Sequence, residues 1–165
     1  MNTPFHILFI CTGNICRSPM AEYLLRQKLK QTFSPPVTIE SAGIMGLDAQ
    51  PVPDEILQLM RERDIDISAH RSKQVTDAML KDADLVFALA MNHYQDLKTR
   101  RALGADVLHL LANFPSSAAP QPDQSIIDPF GGTITLYQTI LNQIDAELDR
   151  IFPDLQRLIL ETYKK

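Results

Sequence analysis

Ile7-Leu8-Phe9-Ile10-Cys11-Thr12-Gly13-Asn14-Ile15-Cys16-Arg17-Ser18-Pro19-Met20 is the stretch that decides the fold. Its apolar start, Ile7 to Ile10, reads as a buried strand, and the amphipathic run from Met20 to Leu29 reads as a helix. Ser18 suits the N-cap of that helix and Pro19 its first position, where a missing N–H costs nothing. Glu22 stands four residues past Ser18, so the pair is not a strict capping box. The loop between strand and helix therefore sits where unpaired N–H groups and the helix dipole favour an anion.

Into that site the sequence puts one thiol, Cys11, and one guanidinium, Arg17. Backbone N–H groups from Thr12 onward, through Gly13, Asn14, Ile15 and Cys16, can cradle phosphate oxygens. Arg17 offers a planar fork for two of them. The positive surroundings favour a thiolate nucleophile at Cys11, and Ser18 can donate a hydrogen bond to its sulfur. Gly13 permits a tight turn, and Asn14 tolerates a left-handed backbone. A thiolate in line with a phosphate ester bond is a phosphoryl-transfer site. A core cysteine beside a surface arginine would not explain the flanking strand and Ser-Pro helix start. Gly-Lys-Ser/Thr is absent, so this is not a Walker A loop. Two cysteines spaced C-x4-C without a second pair do not make a zinc site. No metal and no cofactor are expected.

The rest of the chain reads as one α/β domain. Its 165 residues, 45% hydrophobic and 22% charged, suit a single core. A net charge of −4 gives no footprint for nucleic acid, and no apolar run is long enough for a membrane span. Met1-Asn2-Thr3-Pro4 shows no secretory signal, and a free thiolate suits a reducing cytoplasm. Strands are expected at 37–41, 84–89 and 107–110, with Phe33 to Pro36 linking the first helix to the second strand. Helices are expected from Asp54 as N-cap to about Asp64, after Thr76 as cap, and from about Tyr94. Pro115 to Ser125 reads as a loop that delivers Asp128. Leu136, Ile140, Ile144 and Leu148 mark a core-facing helix; Pro153 should kink or end it, with Asp154 capping a short last helix. Residues 1–152 thus form the main body and 153–165 a helical tail of the same domain. Such alternation implies a parallel sheet with helices on both faces.

The run from Cys11 to Glu22 resembles the signature loop of the low-molecular-weight protein tyrosine phosphatases. The likeness continues through Ser41-Ala42-Gly43, His70-Arg71-Ser72, Ala83 to Val86, Met91 and Asp128-Pro129-Phe130-Gly131-Gly132, to about Phe152. It implies a four-stranded sheet of order 2-1-3-4, with Cys11 at a switch point where ligands bind. It implies Cys11 as nucleophile through a phosphocysteine, Arg17 as phosphate ligand and Asp128 as general acid. It places Ser41 and His70 behind Asn14, holding the cradle rigid. Cys16 has two readings, a resolving thiol that protects Cys11 or a small buried filler. His6, His93 and His109 show no ligand spacing and are expected to be structural or exposed. Tryptophan is absent, Asn92 stands where many members carry an acid, and Phe130-Gly131 replaces the paired tyrosines of animal members. In these departures the chain resembles the bacterial members.

Rival functions separate on a few residues. A thioredoxin-coupled arsenate reductase of this fold needs two further cysteines, and none follows Cys16. A non-catalytic phosphate-binding module would need neither a thiolate nor Asp128. Among phosphatases, the expected substrates are phosphorylated proteins, and the alternatives are phosphotyrosine and phosphoarginine. The Phe130-Gly131-Gly132 ending also occurs in protein-arginine phosphatases. Resemblance to those enzymes puts threonine at the Ile15 position, and isoleucine there favours phosphotyrosine. The sequence leaves the oligomeric state open.

Overall fold

Four parallel strands form the sheet, because each is followed by a helix that must cross over it before the next strand begins. A computed structural model describes residues 3–32, 35–100 and 103–164. Met1, Asn2, Phe33 and Ser34, named above for the signal and linker readings, lie outside them, as does Lys165 of the tail. The strands are β1 (Phe5–Cys11), β2 (Val37–Gly43), β3 (Leu85–Ala88) and β4 (Leu108–Leu110), in the order β2-β1-β3-β4. Helices α1 (Arg17–Thr32), α2 (Asp54–Arg61), α3 (Asp77–Asp82), α4 (Met91–Arg100) and α5 (Ile134–Tyr163) surround it. The expected sheet order is the observed one.

Strand β1 is buried on both faces, which is why Ile7 to Ile10 reads as an unbroken apolar run. Ile7, Phe9 and Cys11 face a core shared with α1 and α5, whereas Leu8 and Ile10 face a second core beneath α3 and α4. Cys11 ends β1 opposite Gly43. A Cβ on Gly43 would lie 2.6 Å from the Thr12 carbonyl oxygen and 3.0 Å from the Asn14 nitrogen. Only glycine lets the loop fold back over β2. The N–H groups of Ile44 and Met45 then bond the carbonyls of Cys11 and Thr12 at 3.0 and 2.9 Å, fastening the loop from behind.

Helix boundaries depart from expectation in instructive places. Helix α1 begins at Arg17, so Ser18 and Pro19 are its second and third residues, not cap and first. Pro19 still lies among the first four N–H positions, which have no intrahelical partner. Ser18 turns its hydroxyl to the nucleophile instead of capping. Helix α2 takes Pro53 as N-cap and stops at Arg61, and α4 starts at Met91, before Tyr94. Thr76 caps α3 as expected, accepting from the Met79 N–H. A turn of 3-10 helix at Leu111–Asn113 precedes the region read as loop, and another at Pro122–Gln124 interrupts it.

Pro153 neither ends nor splits α5, which runs unbroken from Ile134 to Tyr163. Pro153 points to solvent while Ile144, Leu148, Ile151, Leu155 and Ile159 continue one buried stripe past it. Burying Leu155 and Ile159 contributes about 3–6 kcal/mol, against a cost of about 3 kcal/mol for an interior proline. Packing therefore wins. Tyr163 closes the end of the helix: its hydroxyl accepts from the Phe5 N–H at 2.8 Å and lies 2.7 Å from the Pro36 carbonyl.

Candidate active site

The loop after β1 is rigid because one side chain at its centre uses every polar atom. Asn14 has a left-handed backbone, φ 57°, and no solvent exposure. Its Nδ2 donates to Ser18 Oγ at 2.9 Å and to Ser41 Oγ at 2.8 Å, and its Oδ1 accepts from the Lys73 N–H at 3.0 Å. Its carbonyl accepts from His70 Nε2 at 2.7 Å. Ser41 passes its own hydrogen to Glu22, which Arg26 holds at 2.7 Å. Because Ser18 already accepts from Asn14, its hydrogen is free for Cys11 Sγ, 2.9 Å away. One chain of hydrogen bonds thus runs from Arg26 through Glu22, Ser41, Asn14 and Ser18 to the thiol. Ser41 and His70 both touch Asn14, where the resemblance put them.

Arg17 follows at the first turn of α1, with its side chain buried. Its Nη1 donates to the Ile126 carbonyl at 2.8 Å, and its Nη2 reaches Thr12 Oγ1 and Asp128 Oδ2, each at 3.3 Å. Its buried Nε has no hydrogen-bond partner. Asp128 comes from the other side, on the segment before α5, with its side chain half-exposed. That segment is tied down at Ile126, whose N–H bonds the Leu89 carbonyl, and turns at Gly131, φ 74°. The Gly131 N–H bonds Tyr137 Oη at 3.2 Å.

These elements enclose a cavity of about 220 Å³ lined by Cys11, Thr12, Gly13, Ile15, Cys16, Arg17, Leu47, Asp128 and Phe130. Its floor carries the thiol and guanidinium, and its walls are apolar. Of the expected site residues, Cys11, Arg17, Asp128, Thr12, Gly13, Ile15, Cys16 and Phe130 therefore line one cavity. Asn14 and Ser18 lie beneath the floor, and Asn92 is exposed outside the lining.

Electrostatics distinguish the neighbours of the nucleophile. Burial first, then the adjacent Cys11 and Asp128, push the Cys16 thiol up to about 12, against a hydrogen bond from Tyr137. A thiol so held is a packing group, which favours the filler reading of Cys16; both cysteines are free. Burial also raises Glu22, opposed by Ser41 and Arg26, and lowers His70, opposed by the Asn14 carbonyl. His93 is fully buried, with Nε2 2.9 Å from Thr12 Oγ1. Burial and then Arg17 push it down to about 3, so it is neutral. The parts that Glu22, Gly43, Leu47, His93 and Tyr137 play at the site escaped the sequence reading. Glu22 had a signal, as an acid one turn into an otherwise buried helix face, and Gly43 stood in the recognised Ser41-Ala42-Gly43 pattern; contacts of the others span distant segments.

Comparison with known proteins agrees with this geometry. The family model for low molecular weight phosphotyrosine protein phosphatase matches residues 6–160, past Phe152. A protein-arginine-phosphatase of Geobacillus stearothermophilus is 33% identical over 153 residues, 93% of this chain and 97% of its own. The low molecular weight protein-tyrosine-phosphatase Ptp of Acinetobacter johnsonii is 38% identical over 135 residues, 81% of this chain and 91% of its own. Among solved structures, the YwlE arginine phosphatase from Geobacillus stearothermophilus superimposes with TM-score 0.82 at 32% identity, covering 96% of this chain and 97% of that one. A low molecular weight protein tyrosine phosphatase from T. tengcongensis gives TM-score 0.81 at 30% identity, covering 91% and 99%. A parallel sheet with a thiol and a guanidinium on one anion-binding loop, an aspartate facing them and no cysteine after Cys16 together define a cysteine-dependent phosphatase. The chain belongs to the low molecular weight phosphotyrosine protein phosphatase family.

Proposed function

We propose that the chain removes phosphate from phosphotyrosine in proteins, in a reducing cytoplasm, through a phosphocysteine. Loop N–H groups and Arg17, with Nε and Nη2 as its fork, hold three phosphoryl oxygens. Cys11 Sγ attacks phosphorus while the bond to the phenolic oxygen breaks. Asp128 gives its proton to that oxygen, then takes one from the water that displaces Cys11, releasing inorganic phosphate. Ser18 stabilises the sulfur as nucleophile and as leaving group.

The observation that carries the substrate class is the wall of the cavity. Ile15, Leu47 and Phe130 line its sides and offer no hydrogen bond. A flat aromatic ring packs there at no polar cost. A guanidinium would exchange water for hydrocarbon, with Asp128 as its one carboxylate neighbour in the lining. The arginine phosphatase among the relatives makes the rival reading specific. Catalytic efficiency on matched phosphotyrosine and phosphoarginine peptides decides between them. The parent should prefer phosphotyrosine, and Ile15→Thr should move the ratio toward phosphoarginine. A parent that prefers phosphoarginine overturns the assignment.

A further inference from the structure

His93 lies outside the cavity lining and outside every role assigned above, yet it is in contact with the phosphate-binding machinery. Thr12 Oγ1 has two polar neighbours, Arg17 Nη2 at 3.3 Å and His93 Nε2 at 2.9 Å. Arg17 can only donate, so Thr12 accepts from it. If the Thr12 hydrogen then goes to Nε2, the three groups form one directed chain, and only Nδ1–H is left over. The opposite tautomer would leave both the Thr12 hydroxyl hydrogen and the Nδ1 lone pair unused. Nδ1 is buried without a partner in either tautomer, so the arrangement that also uses the Thr12 hydrogen leaves fewer groups unpaired. Burial and the Arg17 charge keep the ring neutral, so it remains an acceptor through the working pH range.

We propose that His93 is a positioning residue for phosphate binding: its Nε2 takes the Thr12 hydroxyl hydrogen and so aims Thr12 Oγ1 at Arg17, fixing the plane of the guanidinium. The idea rests on the phosphatase reading, since Arg17 must be the phosphate ligand. Ile126 O holds one end of the guanidinium and Thr12 Oγ1 the other, which leaves for the phosphoryl group the unpaired Nε and the Nη2 edge that otherwise faces Asp128, 3.3 Å away.

The test compares the parent with His93→Leu, His93→Gln and Thr12→Val, using para-nitrophenyl phosphate as substrate and inorganic phosphate as competitor. His93→Leu should raise KM and the phosphate inhibition constant together by about tenfold, the loss expected when a charged group loses one orienting partner. Glutamine, whose carbonyl accepts, should restore most of the affinity. Thr12→Val should match His93→Leu, and the double variant should lose no more than either. Nitrogen chemical shifts of the parent His93 ring should show hydrogen on Nδ1. Unchanged phosphate inhibition in a folded His93→Leu, additive losses, or hydrogen on Nε2 would overturn the proposal. The ring tautomer is read without any variant, so it decides even if His93→Leu does not fold. A parent inactive on every aryl phosphate would overturn the phosphatase reading itself, while phosphate titration and the tautomer still judge His93.

Discussion

Replacing Asn14 by alanine should cost both stability and phosphate binding, because the same bonds serve both. The side chain is fully buried and makes three hydrogen bonds, to Ser18, Ser41 and the Lys73 N–H. At about 1 kcal/mol each, their loss amounts to about 3 kcal/mol. An alanine kept at φ 57° adds about 1–2 kcal/mol, since its Cβ crowds the following carbonyl. The sum, about 4–5 kcal/mol, should lower Tm by about 10–15 °C for a chain of this size. Asn14→Gly should be the milder replacement, having no Cβ to strain. If the loop instead relaxes to negative φ, the stability loss shrinks but the N–H groups turn away from the anion. Thermal melts with and without inorganic phosphate separate these outcomes. The parent should gain about 2.7 kcal/mol at a phosphate concentration one hundred times its Kd, and the alanine variant almost none. An Asn14→Ala protein that melts within 3 °C of the parent (roughly 1 kcal/mol) and still gains from phosphate would refute the reasoning.

Cys11→Ser should abolish turnover yet keep phosphate affinity, whereas Arg17→Lys should lose both, because an ammonium cannot fork two oxygens; retained turnover in the serine variant rules out the covalent route. Asp128→Asn should slow aryl phosphates in proportion to the basicity of the leaving phenolate, and equal slowing across a series of phenols would remove Asp128 as the acid. Stability should fall between pH 7 and pH 5, because an unfolded histidine takes a proton near 6.5 that folded His93, at about 3, refuses. That difference vanishes above about pH 7 and reaches about 2 kcal/mol at pH 5 for His93 alone. His70 and His109, also lowered chiefly by burial, act in the same direction. Urea titrations of the parent and His93→Gln at both pH values measure the His93 share, and identical losses in the two proteins would refute it.

Local chemistry made the strands and the loop legible, and contacts between distant segments hid the rest. An unbroken apolar run, a thiol, a guanidinium and a Ser-Pro pair sit within a few residues of each other, so pattern alone places β1, the cradle and α1. Pro153 misled because propensity argues from the helix backbone, while the outcome depended on what Leu155 and Ile159 bury in the core shared with α1. Ser18 misled because two roles competed for one hydroxyl, and the thiol won over the cap. His93 had no signal at all: its partner Thr12 is 81 residues away. Gly43 was part of the recognised pattern, but its reason, the approach of the Thr12 carbonyl, appears only once β1 and β2 are paired.

The two sides of the cavity are built to opposite standards, and the reaction explains why. Beneath the thiol, Asn14, Ser18 and Ser41 are buried and bonded in one chain. Charge accumulates on the phosphoryl oxygens there, and donors that need not move lower the barrier most. Above it, Asp128 is half-exposed, and its contacts are with Arg17 and the Phe130 N–H. An acid that must serve a leaving oxygen, then a water, then let phosphate out cannot be locked. Because Asp128 keeps about half of its side chain in water, its pair with Arg17 adds little to folding. Asp128→Asn should melt within about 2 °C of the parent while losing turnover. Asn14→Ala should lose stability, phosphate affinity and turnover together. A destabilised Asp128→Asn would mean that the acid segment, like the cradle, is part of the scaffold, and that its exposure does not reflect freedom to move.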